Sequence, residues 1–82
     1  MAFDEKFDEQ IDTTGLLCPE PLMLVRNRVR TMSPGQILHI EATDPSTHRD
    51  FENFCRFMGH ELLAAKTDDE PLQYWIRKGA KG

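Results

Sequence analysis

The residues with chemistry in them are concentrated in one short run, Leu16-Leu17-Cys18-Pro19-Glu20-Pro21. A cysteine is followed by two prolines that straddle a glutamate, and from Leu22 to Met32 apolar residues recur at helical spacing. Proline is tolerated in the first turn of a helix, where the N–H groups have no intrahelical partner. That places Cys18 at or near the N-cap. The positive end of the helix dipole favours the thiolate, the nucleophilic form of cysteine. Glu20 opposes it, because a nearby carboxylate disfavours a second anion, and Pro19 and Pro21 each remove an N–H that could hold a sulfur anion. The pKa of Cys18 is therefore pulled in both directions. The prolines also fix φ at two positions and bias the residue before each toward extended backbone. The thiol is thus presented at a stiff corner that a partner can reach.

Other reactive side chains are more easily explained by structure. Cys55 shares a helical stripe with Phe51, Phe54 and Met58, and a buried cysteine behaves as a small hydrophobe. There is no Cys-x-x-Cys pair, so a dithiol redox module built from Cys18 and Cys55 is the weaker reading. His39, His48 and His60 are scattered, with none at metal-ligand spacing to a cysteine. They are expected at the surface or half-buried, and no metal is expected. Asp44, Arg49 and Asp50 read first as helix-start residues, the acids complementing the dipole. Met23, Arg26 and Arg30 run away from the cysteine end along one face of the first helix. Arginine and methionine are enriched at interfaces, so a docking patch and a plain solvated face both fit. Arg49 is a further candidate for partner binding.

The elements that must position these residues follow from periodicity. Residues 1 to 9 alternate acids with Phe3 and Phe7 and are expected to be a mobile lead-in. Gln10 to Thr14 reads as a short strand broken by Gly15. The first helix, Pro19 to Met32, turns Leu22, Val25, Val29 and Met32 inward, and Ser33-Pro34-Gly35 stops it. Gln36 to Thr43 alternates, with Leu38, Ile40 and Ala42 on one face and Ile37, His39 and Glu41 on a wetter one. A second helix is expected to open with Asp44 as cap and Pro45 at its first position, and to end at Gly59. Leu62 to Thr67 and Leu72 to Lys78 read as strands joined through Asp68, Asp69 and Glu70, and residues 79 to 82 as a frayed basic tail. The order β-α-β-α-β-β fits an α+β fold with two helices on one face of a four-stranded mixed sheet.

At 82 residues the chain is read as a single domain with one modest core. Its net charge of −4 argues against direct nucleic-acid binding, which needs a basic face. No apolar run approaches the length of a membrane span, and the acidic start lacks the apolar stretch of a secretory signal. A cytoplasmic protein, monomeric when free, is expected, with both cysteines reduced.

The sequence also resembles the TusA-like family of small sulfur carriers. The resemblance rests on Gly15-Leu16-Leu17-Cys18-Pro19-Glu20-Pro21, on 44–50 (Asp-Pro-Ser-Thr-His-Arg-Asp), on 54–62, and on Ile76-Arg77-Lys78-Gly79. It covers nearly the whole chain, and its longer matches point to the TusA branch rather than to looser relatives. It implies a two-layer βαβαββ sandwich in which the cysteine of Cys-Pro-x-Pro, here Cys18 with Pro19, Glu20 and Pro21, carries sulfur as a persulfide. It further implies a pyridoxal-phosphate cysteine desulfurase as donor and a downstream relay complex as acceptor. The end product implied for that branch is the 2-thio group of wobble uridine in tRNA, while relatives serve molybdenum-cofactor synthesis or sulfur oxidation. Such a protein is a sulfurtransferase-type carrier rather than a turnover enzyme, and needs no cofactor of its own. A surface-acting regulatory adaptor is the reading of a different class. A carrier ending in a thiocarboxylate is not expected, since the chain ends Ala80-Lys81-Gly82 rather than in Gly-Gly.

Overall fold

A computed structural model describes residues 6–80. The elements are β1 (Glu9–Thr13), α1 (Glu20–Arg30), β2 (Ile37–Ala42), α2 (Thr47–Met58), β3 (Glu61–Lys66) and β4 (Leu72–Arg77). The four strands form one mixed sheet in the order β1-β2-β4-β3. β1 and β2 are parallel, with Ile11 opposite Ile40, and β4 runs antiparallel to both β2 and β3. This is the α+β architecture expected from the element order.

The core is one layer between helices and sheet. Val25 and Val29 of α1 and Phe51, Phe54 and Cys55 of α2 pack against Leu38, Ile40, Ala42, Leu72, Tyr74 and Ile76 of the strands. The alternation of β2 brings Leu38, Ile40 and Ala42 to the helix side with no exposure at all. At the far end of α1, the buried Lys78 donates from Nζ to the carbonyls of Met32 (2.6 Å) and Arg30 (3.4 Å). A cation there complements the negative end of the helix.

Several boundaries and burials differ from the sequence expectation. α2 begins at Thr47 with Ser46 as N-cap, not with Asp44 as cap and Pro45 in the first turn. Asp44 serves the turn just ahead of the helix, through its bonds from Ser46, and the neighbouring loop, through the Cys18 amide. Met58, expected in the core stripe, is 43% exposed and instead borders the groove between the two helices. Met1–Glu5 of the expected lead-in lie outside the described residues, but 6–9 are not loose. Asp8 N–H donates to the Ile37 carbonyl (2.8 Å), Ile37 N–H donates back to the Asp8 carboxylate (2.8 Å), and Glu9 already belongs to β1.

The helix-free face of the sheet is also drier than expected. His39 is only 6% exposed, stacked between Phe7 (5.0 Å) and Trp75 (4.7 Å). Its ring nitrogens meet Gln10 and Gln73 at 3.0 Å each. The tail is held as far as Gly79, whose N–H donates to His60 Nδ1 (2.9 Å). A Cβ on Gly79 would fall 1.8 Å from the Gly59 carbonyl oxygen, so only glycine passes there. Residues 81 and 82 lie outside the described residues.

Candidate functional site

Parallel pairing decides where the site forms. β1 and β2 point the same way, so the loops leaving them, 14–19 and 43–46, emerge at the same edge of the sheet. Each loop feeds a helix, and both helix N-termini therefore converge there. The two loops are tied to each other. Gly15, at φ +83°, donates its N–H to Thr43 Oγ1 (2.9 Å), and Cys18 N–H donates to Asp44 Oδ2 (2.7 Å). The other oxygen of Asp44 accepts from the Ser46 N–H (3.0 Å) and hydroxyl (2.9 Å). These bonds hold the Asp44 carboxyl below its ordinary value.

The start of α2 is fixed from beneath. Thr47, 1% exposed, donates its hydroxyl to the Asp44 carbonyl (2.7 Å) and receives the Tyr74 hydroxyl at 2.9 Å from β4. Every buried hydroxyl proton in this chain of bonds has an acceptor, so the loop is rigid without an unsatisfied polar group.

Cys18 stands on this platform, exposed. Pro19 is the N-cap of α1, and Glu20 and Pro21 are its first two residues, so the thiol sits one residue before the N-cap. Pro21 is buried and pins the turn, while Glu20 points to solvent. The carboxylate that meets the sulfur comes from α2 instead. Cys18 Sγ donates to Asp50 Oδ2 at 2.9 Å. That hydrogen bond, followed by desolvation and the charges of Asp50 and Asp44, raises the thiol above its ordinary 9.0, with the Ser46 hydroxyl partly offsetting them. The opposing pulls expected at this cysteine are thus resolved in favour of the thiol, by acids 26 and 32 residues away in sequence rather than by Glu20.

Cys55 is 4% exposed, and burial pushes its thiol up to about 12. At pH 8 its thiolate fraction is then about 10⁻⁴. Iodoacetamide at that pH is expected to label Cys18 and to leave Cys55 intact until denaturant is added, as read by peptide mapping. Comparable labelling of Cys55 in the folded protein would contradict the burial.

The remaining candidate residues do not cluster around the sulfur. Met23, Arg26 and Arg30 lie exposed along α1, and Arg49 is exposed in the first turn of α2. Between the helices runs an open apolar groove of about 400 Å³, bordered by Met23 and Arg26 on one side, Phe57 and Met58 on the other, and Asp50 at the Cys18 end. Phe57 is 91% exposed and was not singled out from the sequence. The available signal was an aromatic residue lying off the core stripe of α2. Among the described residues no group of His, Cys, Asp and Glu is arranged to hold a metal, and no helix is long and apolar enough to cross a membrane.

Two comparisons with known proteins bear on this chain. A family model described as "Sulfurtransferase TusA" matches residues 9–78. The crystal structure of a SirA-like protein from Desulfitobacterium hafniense superposes with a TM-score of 0.75, covering 88% of this chain and 99% of that one at 16% sequence identity. At that identity the likeness speaks to the fold.

Proposed function

The chain belongs to the TusA sulfurtransferase family, and from that premise we propose that it is a sulfur carrier that holds its cargo as a persulfide on Cys18. The observation that carries this reading is the exposed thiol at the convergence of two helix N-termini, one residue ahead of the N-cap of a helix whose first turn contains proline. The donor is a pyridoxal-phosphate cysteine desulfurase, and the acceptor is a cysteine of a downstream relay complex. The destination we propose is 2-thiolation of wobble uridine in tRNA, by a protein of the TusA branch itself.

Both transfers are thiol exchange at a sulfane sulfur. Their rates depend on thiolate fraction, intrinsic nucleophilicity, leaving-group acidity and access. A thiol of very low pKa leaves easily but attacks poorly, and a carrier must do both. The carboxylates around Cys18 raise its pKa, against the lowering that a helix N-terminus exerts on a nearby thiol, and a thiolate of higher pKa is the stronger intrinsic nucleophile. The prolines hold it out at a fixed corner for either partner.

Incubation with a cysteine desulfurase and L-cysteine is expected to add one sulfur atom, mapped to the peptide containing Cys18 and removed by reductant. Addition to Cys55 instead, or none at all, would overturn the carrier reading. For docking we propose the Met23, Arg26 and Arg30 face with Arg49, beside the groove that opens at Asp50. Arg26→Glu combined with Arg30→Glu is expected to slow sulfur uptake from the desulfurase by about tenfold or more, as truncating interface arginines commonly does. The rate of Cys18 alkylation by iodoacetamide should not change. If uptake is unaffected, that face is merely solvated.

A further inference from the structure

The contact between Cys18 and Asp50 asks more of the aspartate than a helix-start residue needs. An acid in the first turn of α2 would complement the dipole in any outward rotamer. Asp50 instead places Oδ2 2.9 Å from Cys18 Sγ, as the acceptor of the thiol proton. It reaches the sulfur from the neighbouring helix, across 32 residues of sequence. The other nearby carboxylate is already occupied. Both oxygens of Asp44 accept hydrogen bonds, from the amide of Cys18 and from Ser46. Among the described residues, the groups acting on Cys18 are Asp50, Ser46 and Asp44, with no histidine in the set.

We propose that the Asp50 carboxylate is the catalytic proton acceptor for Cys18 when the carrier takes up sulfur. This inference rests on the carrier reading above and assigns that reaction its base. A base must lie within hydrogen-bond reach of the proton it removes, and Oδ2 does. In the step, a lone pair of Cys18 Sγ forms a bond to the sulfane sulfur of a donor persulfide, R–S–S–H. The bond between the sulfane sulfur and R–S breaks, and its electron pair leaves on R–S⁻. The Cys18 proton moves to Asp50 Oδ2 as attack proceeds, and from there to the departing R–S⁻. The sulfane sulfur keeps its own hydrogen. Cys18 is oxidised and the donor sulfur reduced by the same two electrons, so R–S–S–H and Cys18–S–H become R–S–H and Cys18–S–S–H with no further oxidant.

Two roles for Asp50 give opposite results. If it only suppresses the thiolate electrostatically, removing its charge speeds every reaction of Cys18. If it accepts the proton during attack, removing it slows sulfur uptake even as more thiolate forms. Asp50→Asn is nearly isosteric and keeps the helix position, while Asp50→Glu keeps a carboxylate. The donor should be glutathione persulfide, a small molecule that needs no docking face, with uptake followed by intact mass and alkylation by iodoacetamide measured in parallel at pH 7.

Asp50→Asn is expected to be alkylated faster than wild type yet to take up sulfur about 10²-fold more slowly, the lower end of what a positioned base contributes. Asp50→Glu should recover part of the uptake rate. Uptake in Asp50→Asn equal to or faster than wild type overturns the proposal. Wild-type protein whose Cys18 takes no sulfur from either glutathione persulfide or a charged desulfurase overturns the carrier reading itself, and the proposal with it.

Discussion

Cys18→Ser is expected to abolish sulfur uptake outright, while Cys55→Ala leaves it near the wild-type rate. The first result follows from the chemistry of exchange. A hydroxyl is far too weakly acidic to be a useful nucleophile toward a sulfane sulfur, and the serine keeps every other part of the platform, including the hydrogen bond from its backbone N–H to the Asp44 carboxylate (2.7 Å). The second follows from burial. Cys55 has its thiol pushed to about 12 and is enclosed with Phe51 and Phe54, so no partner cysteine can approach it. The alanine should instead cost stability, since removing a buried sulfur leaves a cavity. Intact mass after charging by a desulfurase reads the first effect, and denaturant unfolding reads the second. Equal loading of Cys18→Ser and wild type would end the carrier assignment.

Phe51→Ala is expected to have the largest effect on stability. Phe51 has no exposure and meets Tyr74 edge-on at 4.8 Å, so it joins α2 to the middle of the sheet. Truncating a buried phenylalanine costs about 3–5 kcal/mol, set against a total of about 5–15 kcal/mol for a domain. For a chain of this size that corresponds to a fall in Tm of about 12 °C or more, measurable by circular dichroism. The same truncation should be felt at the sulfur. Tyr74 holds Thr47, and Thr47 holds the loop carrying Asp44, so loosening this joint loosens both carboxylates around Cys18. A Tm within a few degrees of wild type would mean that the interface between α2 and the sheet repacks.

Much of this was legible in the sequence because it is local. The stripe of Val25 and Val29 and that of Phe51, Phe54 and Cys55 follow from helical spacing, and both stripes are buried. Cys18 at a helix entrance follows from the two prolines. The unread parts are all non-local. That Asp50 rather than Glu20 meets the thiol depends on the parallel register of β1 and β2, which brings two loops to one edge. No spacing rule along the chain expresses that. Asp44 has the residue type of a cap, but an amide from the other loop claims it. Phe7 reads as part of a mobile lead-in and His39 as a residue of a wetter face, yet Phe7 stacks on His39 and helps to bury it. Met58 keeps the period of its stripe and still emerges, at the border of the groove between the helices.

The stack of Phe7, His39 and Trp75 has a practical consequence. Trp75 is the single tryptophan of the chain, nearly inaccessible at 2% exposure and turned toward the helix-free face, with the sheet between it and the helix layer that carries Cys18 and Asp50. Its emission is an internal gauge of whether the sheet is intact and is blind to whether the thiol carries cargo. Folding and charging can therefore be followed on one unlabelled sample, by light for the first and by mass for the second.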